Sequence, residues 1–419
     1  MQIKSIAVEN FKALRTSGTV RLRPLSVIIG NNGSGKSSLV EAAETYVRIL
    51  DHGLEGAMKH WQGFEHIWHK GAQTGKASSA PLSRQPNPMK LTLNLKLDNV
   101  NAKVSVAVNT ADKGNLLYIQ QERGQLASTK FERNVVGKNV NSSFFGLNYS
   151  DDLRASIEGA SRSVGGSAML LPFLGAFDKV TRSLRSTLFL RLNPDTIGQL
   201  QSVSRSWQRI KLASDGSNVA EYLIDLRERS PSSFEQITHA LRYVLPYASD
   251  VEPKVLDAGI IRRSYVQLLE NRYEIPGWLM SSGSLRVLPL IATLLDPDPP
   301  PVVFIEEVEN GLDPRTVGLV VDLMRAAAQS GRSQIIATTH SPYLLDMLDL
   351  DDVLLCERGE KGPEFSWPGS RAEMQAWRQN FMPGRLYTMN ALQRDPLPGT
   401  DAPAVIDGEA PEGGWGDGE

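Results

Sequence analysis

The chain has 419 residues, 41% of them hydrophobic, a formal net charge of −2 and one cysteine. That length can bury one large core or two domains, and Cys356 alone excludes an internal disulfide framework or a zinc-type cysteine cluster. With no apolar core behind Met1-Gln-Ile-Lys-Ser-Ile and no apolar run of membrane-spanning length, a soluble, cytoplasmic, mixed α/β protein without membrane contact is expected.

In chain order, Ile3 to Val8, Thr19 to Leu22 and Leu25 to Ile29 read as three short strands, the first two joined by Asn10 to Gly18. The third leads into Gly30-Asn31-Asn32-Gly33-Ser34-Gly35-Lys36-Ser37, which satisfies G-x-x-x-x-G-K-[ST] at every fixed position. Its glycines let the backbone turn tightly and aim N–H groups inward, forming an anion nest at a helix N-terminus. Lys36 would reach the β- and γ-phosphates of a nucleoside triphosphate such as ATP. Ser37 would hold Mg²⁺, and Ser38 extends the nucleotide-binding set. A glycine-rich joint between strand and helix is the plainer alternative, but a preceding strand and a following helix are the context the motif requires.

Ser38 to Leu50 carries Leu39, Val40, Ala43, Val47 and Leu50 at helical spacing. Gly71 to Met89 reads as a mobile loop. Leu91 to Leu97 and Val104 to Val108 read as an antiparallel pair with one wet face. Asn141 to Thr187 mixes helical patches without sustained heptads, so a long coiled-coil arm is not expected. Leu188 to Leu192 reads as a strand, and Val219 to Arg227 and Phe234 to Val244 as amphipathic helices. Arg182, Arg185 and Arg191, or Arg205, Arg209 and Lys211, could face a phosphate backbone, although solvated helix faces are the plainer reading. Residues 396–419 hold six acids and no Lys or Arg, which predicts a disordered tail and leaves the rest of the chain weakly basic.

The last third holds further chemistry. Pro301 to Ile305 is a buried-type strand ending in Glu306-Glu307. In phosphate-loop enzymes an acid at such a strand end holds Mg²⁺ through water and a second polarises the attacking water, which assigns Glu306 to the metal and Glu307 to general-base catalysis. Upstream lies Leu279-Met-Ser-Ser-Gly-Ser-Leu-Arg286, where Ser281 and Gly283 open an apolar helix that Pro289 should kink. Downstream, Gln334 to Thr339 is an apolar strand ending in His340-Ser-Pro.

The string from Phe304 to Pro314 resembles the Walker B and D-loop of ABC-type ATPases in the SMC, RecF and OLD branch. Val308 stands where that family usually has Pro, and Asp313 where many members have His; neither removes a charged catalytic group. Leu279 to Arg286 resembles the family's signature, which implies that Ser281 donates to a γ-phosphate and Gly283 admits a close backbone. His340 resembles the switch histidine that senses the γ-phosphate. Val8 to Lys12 resembles the family's first strand, with Lys12 and Arg15 as phosphate-approaching candidates. The glutamine loop stays open among Gln62, Gln120, Gln121 and Gln199.

The resemblance covers residues 1–67 and 214–356. It implies an α/β, P-loop ABC-type ATPase head with a mixed sheet, an antiparallel β lobe and a helical insertion. Residues 1–70 would form the lobe with Walker A, 71–213 the loop, β lobe and insertion, and 214–395 the lobe with signature, Walker B, D-loop and H-loop. One signature and one phosphate loop per chain imply that a second copy completes each ATP site. A wide spacing between the two motifs disfavours a transporter, and no nuclease constellation follows His340. The function implied is an ATP-hydrolysing switch that controls a separate nuclease or toxin in antiphage defence. The alternatives are a DNA-binding, RecF-like repair ATPase and a slowly hydrolysing scaffold or sensor.

Overall fold

The computed structural model describes residues 1–73, 82–136, 139–145, 167–203, 209–259, 261–360, 362–372 and 374–393. The tail expected from 396, the middle of the expected loop at 74–81, the stretch 146–166 and Arg205 lie outside the described residues.

β1 (Gln2–Phe11) and β2 (Leu14–Arg21) form a tight antiparallel hairpin that is longer than its polar residues suggest. Buried Phe11 and Leu14 face each other at its end, and Lys12 makes the turn at φ 45°. Thus Asn10 to Gly18, expected as a connection, is mostly paired strand, because two apolar residues at the turn outweigh the polar run between them. β3 (Leu25–Ile29) joins a different sheet. The expected antiparallel pair is β4 (Met89–Leu97) with β5 (Val100–Ala111), and β6 (Leu116–Leu126), β7 (Thr129–Val136) and β8 (Asn139–Phe145) extend it. Together with the hairpin they make a seven-stranded antiparallel sheet ordered β2-β1-β4-β5-β6-β7-β8.

β9 (Leu188–Leu190) returns to the sheet of β3, whereas β10 (Gln201–Ser202), β11 (Asp250–Ala258), β12 (Ile261–Glu270) and β13 (Tyr273–Pro276) form a small antiparallel group. β14 (Val302–Ile305), β15 (Gln334–Thr339), β16 (Val353–Gly359) and β17 (Gly362–Ser366) complete the core sheet, ordered β17-β16-β3-β15-β14-β9. All its pairings are parallel except that of β17 with β16. Parallel strands covered on both faces are apolar throughout, and β3, β14 and β15 are buried at every position.

Alternation along these strands divides the core in two. Val27, Ile29, Leu190, Val303, Ile305, Ile335 and Ala337 point to one hydrophobic cluster. Ile28, Phe189, Val302, Phe304 and Ile336 point to the other. The second cluster holds α1 (Lys36–His60) and the β lobe. Behind β9, α2 (Asp178–Arg185) packs against α1. The first cluster holds α3 (Val219–Arg229), α4 (Pro231–Val244), α5 (Ser282–Leu295) and α6 (Pro314–Gln329).

α1 is not one rod. Gly53, at φ 68° and ψ −176°, breaks it, and the returning half brings His60 Nε2 to 3.7 Å from Glu44 Oε1. In a straight helix those residues would stand about 24 Å apart at 1.5 Å per residue. α5, by contrast, is assigned as one helix through Pro289.

Candidate functional site: the carboxyl edge of the parallel sheet

Register aligns the strand ends. Ile29 pairs with Thr339, Ala337 with Ile305, and Ile305 with Leu190. The residues that follow, Gly30, His340, Glu306 and Arg191, therefore share one edge, the carboxyl end where open α/β sheets bind ligands.

The phosphate loop curls from β3 into α1. A Cβ on Gly30 would fall 2.0 Å from the Cys356 carbonyl oxygen, and Gly35 has φ 113° with Pro363 Cγ 2.7 Å from where its Cβ would be; neither position admits a side chain. Asn31, Asn32 and Gly33 are exposed on the loop, Ser34 and Ser38 are buried, and Ser37 is exposed in the first helical turn. Asn31 Oδ1 accepts from the Tyr387 hydroxyl at 3.0 Å. No side chain caps α1 and no acid lies in its first turn, which leaves the helix N-terminus suited to an anion. Lys36 Nζ donates to the Gly30 and Asn31 carbonyls at 2.6 and 3.0 Å. Burial lowers its pKa, while Cys356, Glu307 and Glu309 act against that fall.

The acid pair is split by its surroundings. Glu306 is half-buried and its backbone N–H donates to Leu190 O at 3.0 Å. Its Oε1 accepts from Arg191 Nε at 2.8 Å and lies 2.7 Å from Arg191 Nη2, and no hydrogen bond reaches Oε2 among the described residues. Burial raises the Glu306 pKa, Arg191 opposes the rise, and Glu41 and Glu44 add to it. Glu307 is exposed, at φ 48°, a backbone state that costs a non-glycine residue of order 1–3 kcal/mol. Its N–H donates to Thr338 Oγ1 at 3.0 Å, and its Oε2 accepts from Asn310 Nδ2 at 3.3 Å. Such strain is held where the chain needs a side chain aimed off the strand.

His340 is exposed, and its backbone N–H donates to Glu309 Oε1 at 2.7 Å. Asp313 caps α6, accepting from the Arg315 and Thr316 amides at 3.0 and 3.2 Å, so the residue that departs from the common histidine serves as a helix cap here.

The signature-like segment lies elsewhere. Ser281 is exposed at the N-cap of α5, where its hydroxyl accepts from the Ser284 amide at 3.1 Å. A Cβ on Gly283 would sit 2.5 Å from the Gly311 carbonyl oxygen. Gly283 thus lets α5 pack against the turn after Glu307. α5 belongs to the cluster on one face of the parallel sheet and α1 to that on the other, so Ser281 and Lys36 stand on helices packed against opposite faces.

The remaining basic and glutamine candidates have these partners. Arg191 faces Glu306 and Glu44; it is no member of a surface patch for phosphodiesters. Arg182 pairs with Asp178, Arg185 with Asp51, and Arg209 with Asp296 and Asp298. Lys12 reaches Glu41 at 2.8 Å and lies 4.1 Å from the centre of the Trp61 ring. Gln120 and Gln121 are engaged within the β lobe, away from the sheet edge. Arg191 was read only as part of a possible phosphate-facing cluster, and Glu44 was not read as a site residue. A signal existed for the first: Leu188-Phe-Leu-Arg, like Val303-Phe-Ile-Glu, is an apolar strand that runs directly into a charged residue.

Two family models match. "AAA domain, putative AbiEii toxin, Type IV TA system" covers residues 154–346 and "AAA ATPase domain" covers residues 1–47. No curated protein gives a significant match. Among solved structures, an SMC head bound to the C-winged helix domain of ScpA aligns over 87% of this chain and 97% of its own, at 11% identity and TM-score 0.51. An Smc head with an extended coiled coil, bound to the C-terminal domain of ScpA derived from Pyrococcus furiosus, aligns over 90% and 98%, at 10% identity and TM-score 0.50. The fold is that of an SMC head, and two stretches of the chain are similar to AAA-type ATPase domains.

Proposed function

We propose that this ATPase is a Mg²⁺-dependent switch that dimerises around ATP and controls a separate effector protein, a nuclease or toxin, in cytoplasmic antiphage defence. The carrying observation is the sheet itself. Lys36, Ser37, Glu306, Glu307 and His340 border its carboxyl edge, whereas Ser281 caps a helix packed in the cluster on one face, opposite the cluster of α1. That separation supports a nucleotide held by one copy and closed over by the Ser281 of another. In this reading residues 1–70 and 214–395 form the ATPase head, with 71–213 between them.

The residues present fit Mg²⁺: the exposed Ser37 hydroxyl and the unbonded Glu306 Oε2 are hard oxygen donors, with water to complete the shell. Bound there, the ion would neutralise charge between the β- and γ-phosphates. Lys36 would exchange its two loop carbonyls for phosphate oxygens. The strained backbone of Glu307 holds the carboxylate that takes the proton of the attacking water, and His340 reads the γ-phosphate from the neighbouring strand. Support for the effector comes from the toxin–antitoxin description of the longer family match. No helix of the described residues is long and apolar enough to cross a membrane.

The test is Glu307→Gln with saturating Mg²⁺ and ATP. Light scattering should show a stable dimer that dissociates on nucleotide removal, with turnover reduced about 10²–10⁴-fold, the usual contribution of a general base. A monomer under those conditions refutes the sandwich. A nuclease or toxin co-purifying with this variant supports the effector reading; turnover stimulated by duplex DNA with steep salt dependence points to repair instead.

A further inference from the structure

Arg191 follows β9, a three-residue strand at the sheet's edge. Its backbone is fixed on both sides: its N–H donates to Ser214 O at 2.8 Å, and Ser214 Oγ donates to Phe189 O at 2.5 Å. The guanidinium spans two carboxylates from different elements. Nε and Nη2 meet one oxygen of Glu306, at 2.8 and 2.7 Å, while Nη1 lies 2.5 Å from Glu44 Oε2. Glu44 is 2% exposed and sits on α1, two turns beyond Lys36 and Ser37. Arg191 also lies 5.6 Å from the centre of the Trp61 ring, which the break at Gly53 returns to this spot. A fork with fixed donor geometry orients both acids, whereas an ammonium, a point charge with three rotatable donors, fixes neither carboxylate's orientation.

We propose that Arg191 is a positioning residue of the ATPase site, holding Glu306 by Oε1 so that Oε2 faces the Mg²⁺ hydration shell and tying that acid to the helix that carries Ser37. Both oxygens that would share the ion, one on β14's end and one on α1, are then held in register by a single side chain. Without Arg191, Glu44 would keep Arg48, whose Nε donates to its Oε1 at 2.8 Å, but Glu306 would lose its orientation. The inference rests on the reading of Glu306 as the metal-side acid.

The experiment measures ATP affinity by titration with a fluorescent ATP analogue, once with Mg²⁺ and once with EDTA. The ratio of the two is the enhancement due to metal. Arg191→Gln should lower that ratio about tenfold or more, the usual loss when a residue orienting a metal ligand is removed, with EDTA affinity little changed. Arg191→Lys keeps the charge beside Glu44 should the glutamine variant fold poorly, and it should lower the ratio less. An unchanged ratio in a folded variant, whatever its melting temperature, makes Arg191 a structural ion pair and overturns the proposal. Glu306→Gln separates the two levels: if it leaves the ratio intact, the assignment of Glu306 fails, whereas a reduced ratio there with a normal one in both Arg191 variants refutes only the inference.

Discussion

Two arginine–glutamate pairs in this molecule look alike and do different work. In the β lobe, Arg133 and Glu122 are 1% and 0% exposed, with Arg133 Nη2 3.0 Å from Glu122 Oε2. The surroundings are internal: Glu122 also accepts from the Leu170 and Leu171 amides at 2.8 Å, and Arg133 donates to Ala168 O at 2.7 Å. At the sheet edge, Arg191 and Glu306 are 29% and 17% exposed, and Glu306 keeps an oxygen without a bond. A pair whose partners are all internal fastens segments together. A pair that reserves a lone pair for something from outside marks a site.

That contrast can be broken by substitution. The largest effect is expected at Arg133→Leu, which strands Glu122 and should cost about 3–5 kcal/mol of stability, read as a fall in denaturant midpoint, with ATP affinity of the folded fraction unchanged. The sign of its pH dependence follows from burial, which raises the Glu122 pKa above 4.5 against the pull of Arg133. Without the arginine the folded state prefers the protonated acid, so stability is present below that value and is lost as pH rises; the variant should be relatively worse at about pH 8 than at about pH 5. Greater loss at acid pH would show that the backbone amides alone keep the carboxylate charged.

Next comes Lys36→Ala. Lys36 is also buried and also pairs internally, with Gly30 and Asn31 carbonyls, yet its partners are loop carbonyls that phosphates can replace. Nucleotide affinity should fall about 10²-fold for the loss of one or two charge-assisted hydrogen bonds, with little change in melting temperature. The reverse pattern, a melted protein with ordinary affinity in the folded fraction, would put Lys36 in the same class as Arg133.

The smallest effect belongs to Asp313. Its side chain serves α6, and the bonds from Thr316 and the helix amides hold its pKa below 3.8. Asp313→Ala should cost about 1 kcal/mol, as for other N-caps. Because the folded pKa is depressed, that contribution is present at neutral pH and fades as pH falls through the carboxylate range. A large loss of turnover with unchanged stability would instead give Asp313 a place in the chemistry.

Much of the head was legible because its motifs are local. Gly30 to Ser37, the strand into Glu306-Glu307 and the strand into His340 each announce themselves by an apolar run followed by a fixed chemical pattern, and each lies on the expected type of element. The hairpin at Phe11 and Leu14 was misread because its stability comes from cross-strand packing, which no local window contains. The helical spacing after the phosphate loop was legible over Ser38 to Leu50; in the structure the helix runs on to a break at Gly53 and then turns back as far as His60.

By itself, the sequence determined where the phosphate-loop pattern stands, since a loop that binds an anion through its own backbone must encode the glycines, lysine and serine contiguously. Only the tertiary structure decided who stands beside them. The parallel register that puts Leu190 next to Ile305, the break that returns Trp61 to the site, and the division of the core that separates Ser281 from Lys36 all join residues far apart in the chain. Sheet pairing and burial fix those neighbours, and neither has a signature at any one position.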